Sequence, residues 1–299
     1  MRVAFSPVYR YRLPPGHRFP MDKYTLLPEQ LLYEGTVTEQ QFFTAEPLTE
    51  EAILRTHTAA YWTKLRDNTL TRKEARAIGF PMRPDLVARG RVIAQGTLEC
   101  ARFAFRDGVA LNIAGGTHHA FADHGEGFCV FNDIAIAANE LLHTGEVERV
   151  LIVDLDVHQG NGTASLFAQE PRVFTFSMHG ARNYPARKER SDLDIGLPDQ
   201  TGDEVYLDTL RRHLPGLLDG VQPDLVFYLS GVDVLATDKL GRLSMTLQGC
   251  KERDRFVLES CHRRNLPVAI AMGGGYSDRL ATIIEAHANT YRVAAGLYD

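Results

Sequence analysis

Four stretches far apart in the chain carry residues that could do chemistry. In VDLDVHQGNG, Asp154, Asp156 and His158 fall at alternate positions straight after the apolar run 150–153. In GGTHHA, His118 and His119 are adjacent, and Asp233 closes SGVD while Tyr276 follows three glycines in MGGGY. An apolar run of this kind reads as a buried strand. If the extended geometry persists, Val150, Ile152, Asp154, Asp156 and His158 share one face of it. Unpaired carboxylates there would cost several kcal/mol each, so they must face a cation, a donor network or water. Asp156, His158 and Asp233 together offer two carboxylate oxygens and one imidazole nitrogen, a set that suits Zn²⁺; Fe²⁺ or another divalent ion also fits. Three protein ligands leave a position for water and substrate, the pattern of a catalytic site. Adjacent histidines beside such a metal suit proton transfer. A phenol beside it can donate to a developing oxyanion. Each residue alone has a plainer reading: an Asp bonded at a turn, a structural His, or a Tyr capping a loop.

Something must bring these stretches together. VAF near the start, VALNI, ERVLIVDLD, RVFTFSM, DLVFYLSGVD and PVAIA read as strands. RPDLVARGRVIAQGTLECARFAF reads as a long amphipathic helix, and FNDIAIAANELLHTG as a helix with Gly145 as its C-cap. NGTASLFAQE, GDEVYLDTLRRHLPGLL, LQGCKERDRFVLESCHRRN and the segment from Asp278 onward also read as helices. The part before residue 80 reads as helical and irregular, with short helices at TEEAILRTH and AAYWTKL. Alternating strands and helices imply a parallel sheet with helices on both faces. Ligands then bind beyond the carboxyl ends of the strands, where all four stretches fall.

The 299 residues, 44% hydrophobic and 24% charged, suit a soluble globular protein with a large core. A net charge of -5 provides no overall field for nucleic acid or acidic membranes, and RNYPARKER reads as a solvated loop. The N-terminus lacks an apolar secretory segment, and no run is long and apolar enough to span a bilayer. Cys100, Cys129, Cys250 and Cys261 form no CxxC pair and read as buried free thiols. These features point to the cytoplasm, with no membrane partner and no direct nucleic-acid partner. Gly160-Asn161-Gly162 and the three glycines before Tyr276 fit neither common phosphate-loop pattern.

GGTHHA, GEGFCVFND, VDLDVHQGNG, SGVDVLATDKLGRLSMT and MGGGY occur in the order seen in histone deacetylases, and over nearly the whole chain the sequence resembles that family. HQGNG and TDKLGRLSMT are most similar to its class IV branch and bacterial members. The resemblance implies the arginase/deacetylase fold, a single α/β domain over residues 1–299 with a central parallel eight-stranded sheet and helices on both faces. It implies that Asp156, His158 and Asp233 bind Zn²⁺, that Asp154 backs His118, that His119 shuttles the proton and that Tyr276 polarises the carbonyl. Gly127, Phe128 and Tyr184 would line the acyl-lysine channel. A monovalent cation such as K⁺ would bind through Asp154, Ser177 and the backbone carbonyls of Asp156, His158 and Met178.

Other branches place Asp where this chain has Asn161, the partner of His119. Without that anion His119 should be less basic and neutral at pH 7. It would take a proton from the attacking water and return it to the leaving amine. The activity implied is hydrolysis of an Nε-acyl-lysine amide on a protein or peptide, or of a small acylated amine. An arginase-like dinuclear site lacks its further carboxylates, since Gly160 and Leu235 stand where ligands are needed. An acetylpolyamine amidohydrolase uses the same zinc chemistry. A non-catalytic acyl-lysine binding module would be expected to have lost part of the constellation.

Overall fold

The computed structural model describes residues 1–298. Its strands are β1 (Arg2–Ala4), β2 (Phe42–Phe43), β3 (Val109–Asn112), β4 (Val150–Asp154), β5 (Val173–Gly180), β6 (Leu193–Leu197), β7 (Leu225–Leu229) and β8 (Val268–Ala271). They form one eight-stranded sheet in the order β2-β1-β3-β8-β7-β4-β5-β6, and every pairing is parallel. β3, β4, β7 and β8 are buried along their whole length, as near-continuous Val, Leu, Ile and Ala runs require of strands covered on both faces.

The helices are α1 (Lys23–Tyr33), α2 (Glu50–Leu54), α3 (Ala59–Arg66), α4 (Arg72–Ile78), α5 (Pro84–Asp107), α6 (Asp133–Thr144), α7 (Asn161–Phe167), α8 (Asp203–Val221), α9 (Leu247–His262) and α10 (Leu280–Tyr298). α5 packs on α6 and α6 on α7, whereas α8 packs on α9, α9 on α10 and α10 on α1. Right-handed crossovers put these two groups on opposite faces of the sheet. Local sequence sets the ends: Pro84 opens α5, Asn132 caps α6 by accepting the Ala135 N–H at 3.0 Å, and Gly145 closes α6 with φ 73°.

The six strands legible in the sequence are present: four are trimmed at their ends, β1 is shifted by one residue, and β5 runs on through His179 and Gly180. The two others sit at the sheet edges. β2 is two residues long, and β6, LDIGL, has a single buried residue and carries Asp and Gly, which strands disfavour. α1 and α4 fall in the region read as helical and irregular. One expectation is corrected: β4 ends at Asp154, so Asp156 and His158 do not continue its alternation but lie in the loop beyond it. The same holds for Asp233 and Tyr276, each beyond the end of its strand. The sheet must release these residues, because a side chain locked in a ladder cannot turn toward a shared centre. RNYPARKER lies in the connection from β5 to β6, with Arg182, Arg187 and Arg190 exposed, and all four cysteines are free and buried.

Candidate active site

β3, β8, β7 and β4 are consecutive in the sheet, so the four chemistry-bearing loops leave a strip only ~14 Å wide at a strand spacing of about 4.8 Å. Ligand atoms of Asp156, His158 and Asp233 all lie within 4.8 Å of one another, and all three residues are buried. Each carboxylate is fixed by backbone donors. Asp156 Oδ1 accepts the His158 N–H at 3.0 Å and its Oδ2 the Gly274 N–H at 2.9 Å, while Asp233 Oδ1 accepts the Val157 N–H at 2.9 Å. Asp233 Oδ2 is buried without a hydrogen-bond partner among the described residues. His158 Nδ1 approaches it to 3.2 Å but not as an aligned hydrogen bond. A buried carboxylate oxygen without a donor is costly unless a cation faces it. Burial, then the charge of Asp156, raises the Asp233 carboxyl above the usual carboxylate range. The residues present thus fit a divalent metal.

The adjacent histidines sit in different electrostatic settings. His118 Nδ1 is 2.7 Å from Asp154 Oδ2. Burial alone would depress this imidazole, but Asp154, with Asp156 adding to it, raises it to about 9. His119 Nδ1 is 2.7 Å from Asn161 Oδ1. Burial and the neighbouring His118 and His158 hold His119 well below the usual range, and the Asn161 bond only partly offsets them. The two settings thus differ in sign: His118 is pushed toward its cationic form and His119 toward its neutral form.

Asp156, His158, Asp233, His118 and His119 line one cavity of about 270 Å³ together with Gly127, Phe128, Tyr184 and Tyr276. The Tyr184 ring stands edge-on to His119 at 5.0 Å, and Phe128 lies 6.0 Å from Tyr276. Phe128 holds φ 69°, a left-handed backbone costly for an aromatic residue, next to Gly127 at φ 55°. A Cβ on Gly127 would come 2.7 Å from His119 Cδ2, so glycine is needed for both conformation and space. Ser177 faces Asp154 in register across β4 and β5, and its hydroxyl is 2.9 Å from His179 Nδ1.

The structure also reveals supports that the sequence reading did not single out. Asp133 accepts the Thr117 hydroxyl at 2.6 Å, the Thr117 N–H at 2.8 Å, the Thr97 hydroxyl at 2.6 Å and the Gly116 N–H at 3.2 Å, which pins the loop of His118 and His119. Arg253, fully buried, donates to the carbonyls of Leu155 and Gly231 and so ties the loops after β4 and β7 together. Buried Lys23 donates to the Gly273 carbonyl at 3.1 Å and is lowered to about 8 by burial. Glu126 accepts from Asn161 Nδ2 at 2.6 Å. GEGFCVFND contains both Glu126 and Asp133, but a motif does not say which atoms meet.

Comparison with known proteins fits this geometry. The family described as Histone deacetylase domain matches residues 17–291. An uncharacterised protein of Picosynechococcus sp. is 44% identical over 297 residues, 99% of each chain. Histone deacetylase 2 of Arabidopsis thaliana is 29% identical, with 90% of this chain matching 72% of that one. The crystal structure of an HDAC homologue from Aquifex aeolicus shares the fold, with a TM-score of 0.85 at 23% identity, covering 99% of this chain and 84% of that one.

Proposed function

The chain belongs to the histone deacetylase family and is a deacetylase-type hydrolase, and from that premise we propose that it hydrolyses the amide of an Nε-acyl-lysine using Zn²⁺ held by Asp156, His158 and Asp233. The observation that carries this reading is the convergence of that three-ligand group, the neutral His119 and the Tyr276 phenol on one cavity. When bound, the ion supplies a water of lowered pKa and polarises the substrate carbonyl.

The protein's own groups do the rest. His119, with Nδ1 engaged by Asn161, takes the proton of the attacking water at Nε2 and returns it to the departing lysine amine. The Tyr276 hydroxyl, held protonated by burial and by Asp233 and Asp156, donates to the oxygen that gains charge. His118, paired with Asp154, adds fixed positive charge as negative charge develops. Gly127, Phe128 and Tyr184 guide the acyl-lysine stem, and Asp154 and Ser177, with the carbonyls of Asp156, His158 and Met178, hold a monovalent cation. Residues 1–299 act as one deacetylase-like unit.

The test is acyl release from ε-acyl-lysine peptides, acetyl through myristoyl, by purified protein with Zn²⁺, alongside acetylated polyamines. Turnover of the peptides supports the reading, and its dependence on acyl length names the substrate. Turnover of polyamines alone rejects it in favour of a small-amide hydrolase. No turnover with zinc bound leaves a binding module.

A further inference from the structure

Asn161 has two faces, and only one orientation serves a general base at His119. With Oδ1 toward the ring, the amide accepts from Nδ1–H and leaves Nε2 as a lone pair for the cavity. Turned over, its NH₂ would donate to Nδ1 and place the proton on Nε2, where a base is needed. A carboxylate at position 161 would have no such ambiguity. The observed orientation has Oδ1 2.7 Å from His119 Nδ1 and Nδ2 2.6 Å from Glu126 Oε1. An ionised carboxylate can only accept, so it requires the NH₂ of Asn161 on its own side.

We propose that Glu126 is a positioning residue that fixes the Asn161 amide and thereby the tautomer of His119. Asn161 is buried, and no other partner of its side-chain NH₂ appears among the described residues. Glu126 is itself rigidly carried. The Gly127 N–H donates to the Ala77 carbonyl at 3.0 Å, the Phe128 N–H to Ile78 at 2.7 Å, and the Cys129 N–H back to Glu126 at 2.8 Å. The same turn sets Gly127 against the His119 ring, so one short segment fixes both the position of the imidazole and the place of its proton. Glu126 thereby does at one remove what an Asp at position 161 would do directly.

The activity readout rests on the deacylase reading; the tautomer readout does not. Long-range ¹H–¹⁵N spectra of histidine-labelled, metal-free protein should show His119 protonated on Nδ1. Glu126→Ala should mix the two tautomers, and in zinc-loaded enzyme lower kcat roughly tenfold with KM little changed, the scale of one lost charge-assisted hydrogen bond. Glu126→Gln, which keeps an acceptor oxygen, should retain part of both. In an Asn161→Asp background, removing Glu126 should no longer lower kcat and should raise it, because two carboxylates would face each other. Glu126→Ala with an unchanged Nδ1–H tautomer, or an equal kcat loss in both backgrounds, overturns the proposal. A tautomer that shifts in a protein with no deacylase activity sustains the positioning role and rejects the deacylase reading instead.

Discussion

Asp238 Oδ2 accepts the backbone N–H of Tyr276 at 2.6 Å. The other oxygen of Asp238 accepts the N–H groups of Leu240 at 2.8 Å and Gly241 at 2.9 Å, and Thr237 Oγ1 is 2.8 Å from Ser277 Oγ. The loop beyond β7 thus holds the loop beyond β8, and the phenol is aimed from its backbone. Removing the phenol hydroxyl and removing its aim should have related effects. Tyr276→Phe should lower kcat by ~10²-fold, the usual scale for a lost oxyanion donor, with KM little moved. Asp238→Ala should lower kcat in the same direction with the hydroxyl still present. Steady-state kinetics on an acyl-lysine peptide check both, and an unchanged kcat in Tyr276→Phe would reject the role given to Tyr276.

Metal removal should abolish turnover and lower Tm. An ion that binds only the folded chain stabilises it by about 2.7 kcal/mol at a hundredfold excess over its Kd. Dialysis against a chelator, followed by Zn²⁺ in calorimetry, should show this rise. Asp233→Asn should bind well under about one ion per chain and lose the rise. A metal-independent Tm in the unmodified protein would argue against the site.

A stability dependence on pH, remote from the metal group, should come from His57. Its Nδ1 lies 2.9 Å from the Phe121 carbonyl and its Nε2 accepts the Asn132 N–H at 3.1 Å. Burial lowers it to about 4. Between the ordinary value near 6.5 and 4 the unfolded chain carries a proton that the folded one does not. Stability from this group is therefore complete above 6.5 and falls as pH drops to 4, by about 3 kcal/mol in all. Urea unfolding across that range should show the slope, and His57→Gln should flatten it by one proton.

Asp133→Ala should be costly for both fold and activity. It strips four hydrogen bonds from a buried carboxylate and leaves the Thr117 and Gly116 N–H groups without that partner. A loss of roughly 3 kcal/mol or more is expected. Asp133→Asn, which keeps an acceptor oxygen, should lose less. Equal stability of the two variants in denaturant titrations would show that the carboxylate is not what holds the histidine loop.

Sequence by itself determined a good deal about this chain. The apolar runs of β3, β4, β7 and β8 read as strands because fully buried parallel strands admit little else, and the polar residues that follow them read as site residues because a sheet interior rejects charge. Asp156, His158, Asp233, His118, His119 and Tyr276 all stand out as candidates on that ground, and the order of their motifs named the family. Other facts were decided only in three dimensions. Strand order makes β3, β8, β7 and β4 neighbours, and no local pattern encodes that order. The exit of Asp156 and His158 from strand geometry goes with bonds across the sheet end, from the Gly274 N–H to Asp156 and from the Val157 N–H to Asp233. The edge strands β2 and β6 form by pairing with a neighbour rather than by their own composition. Above all, Glu126 reaches Asn161 from 35 residues away, and which face of an amide a histidine meets depends on that third group, whose place only the folded backbone sets.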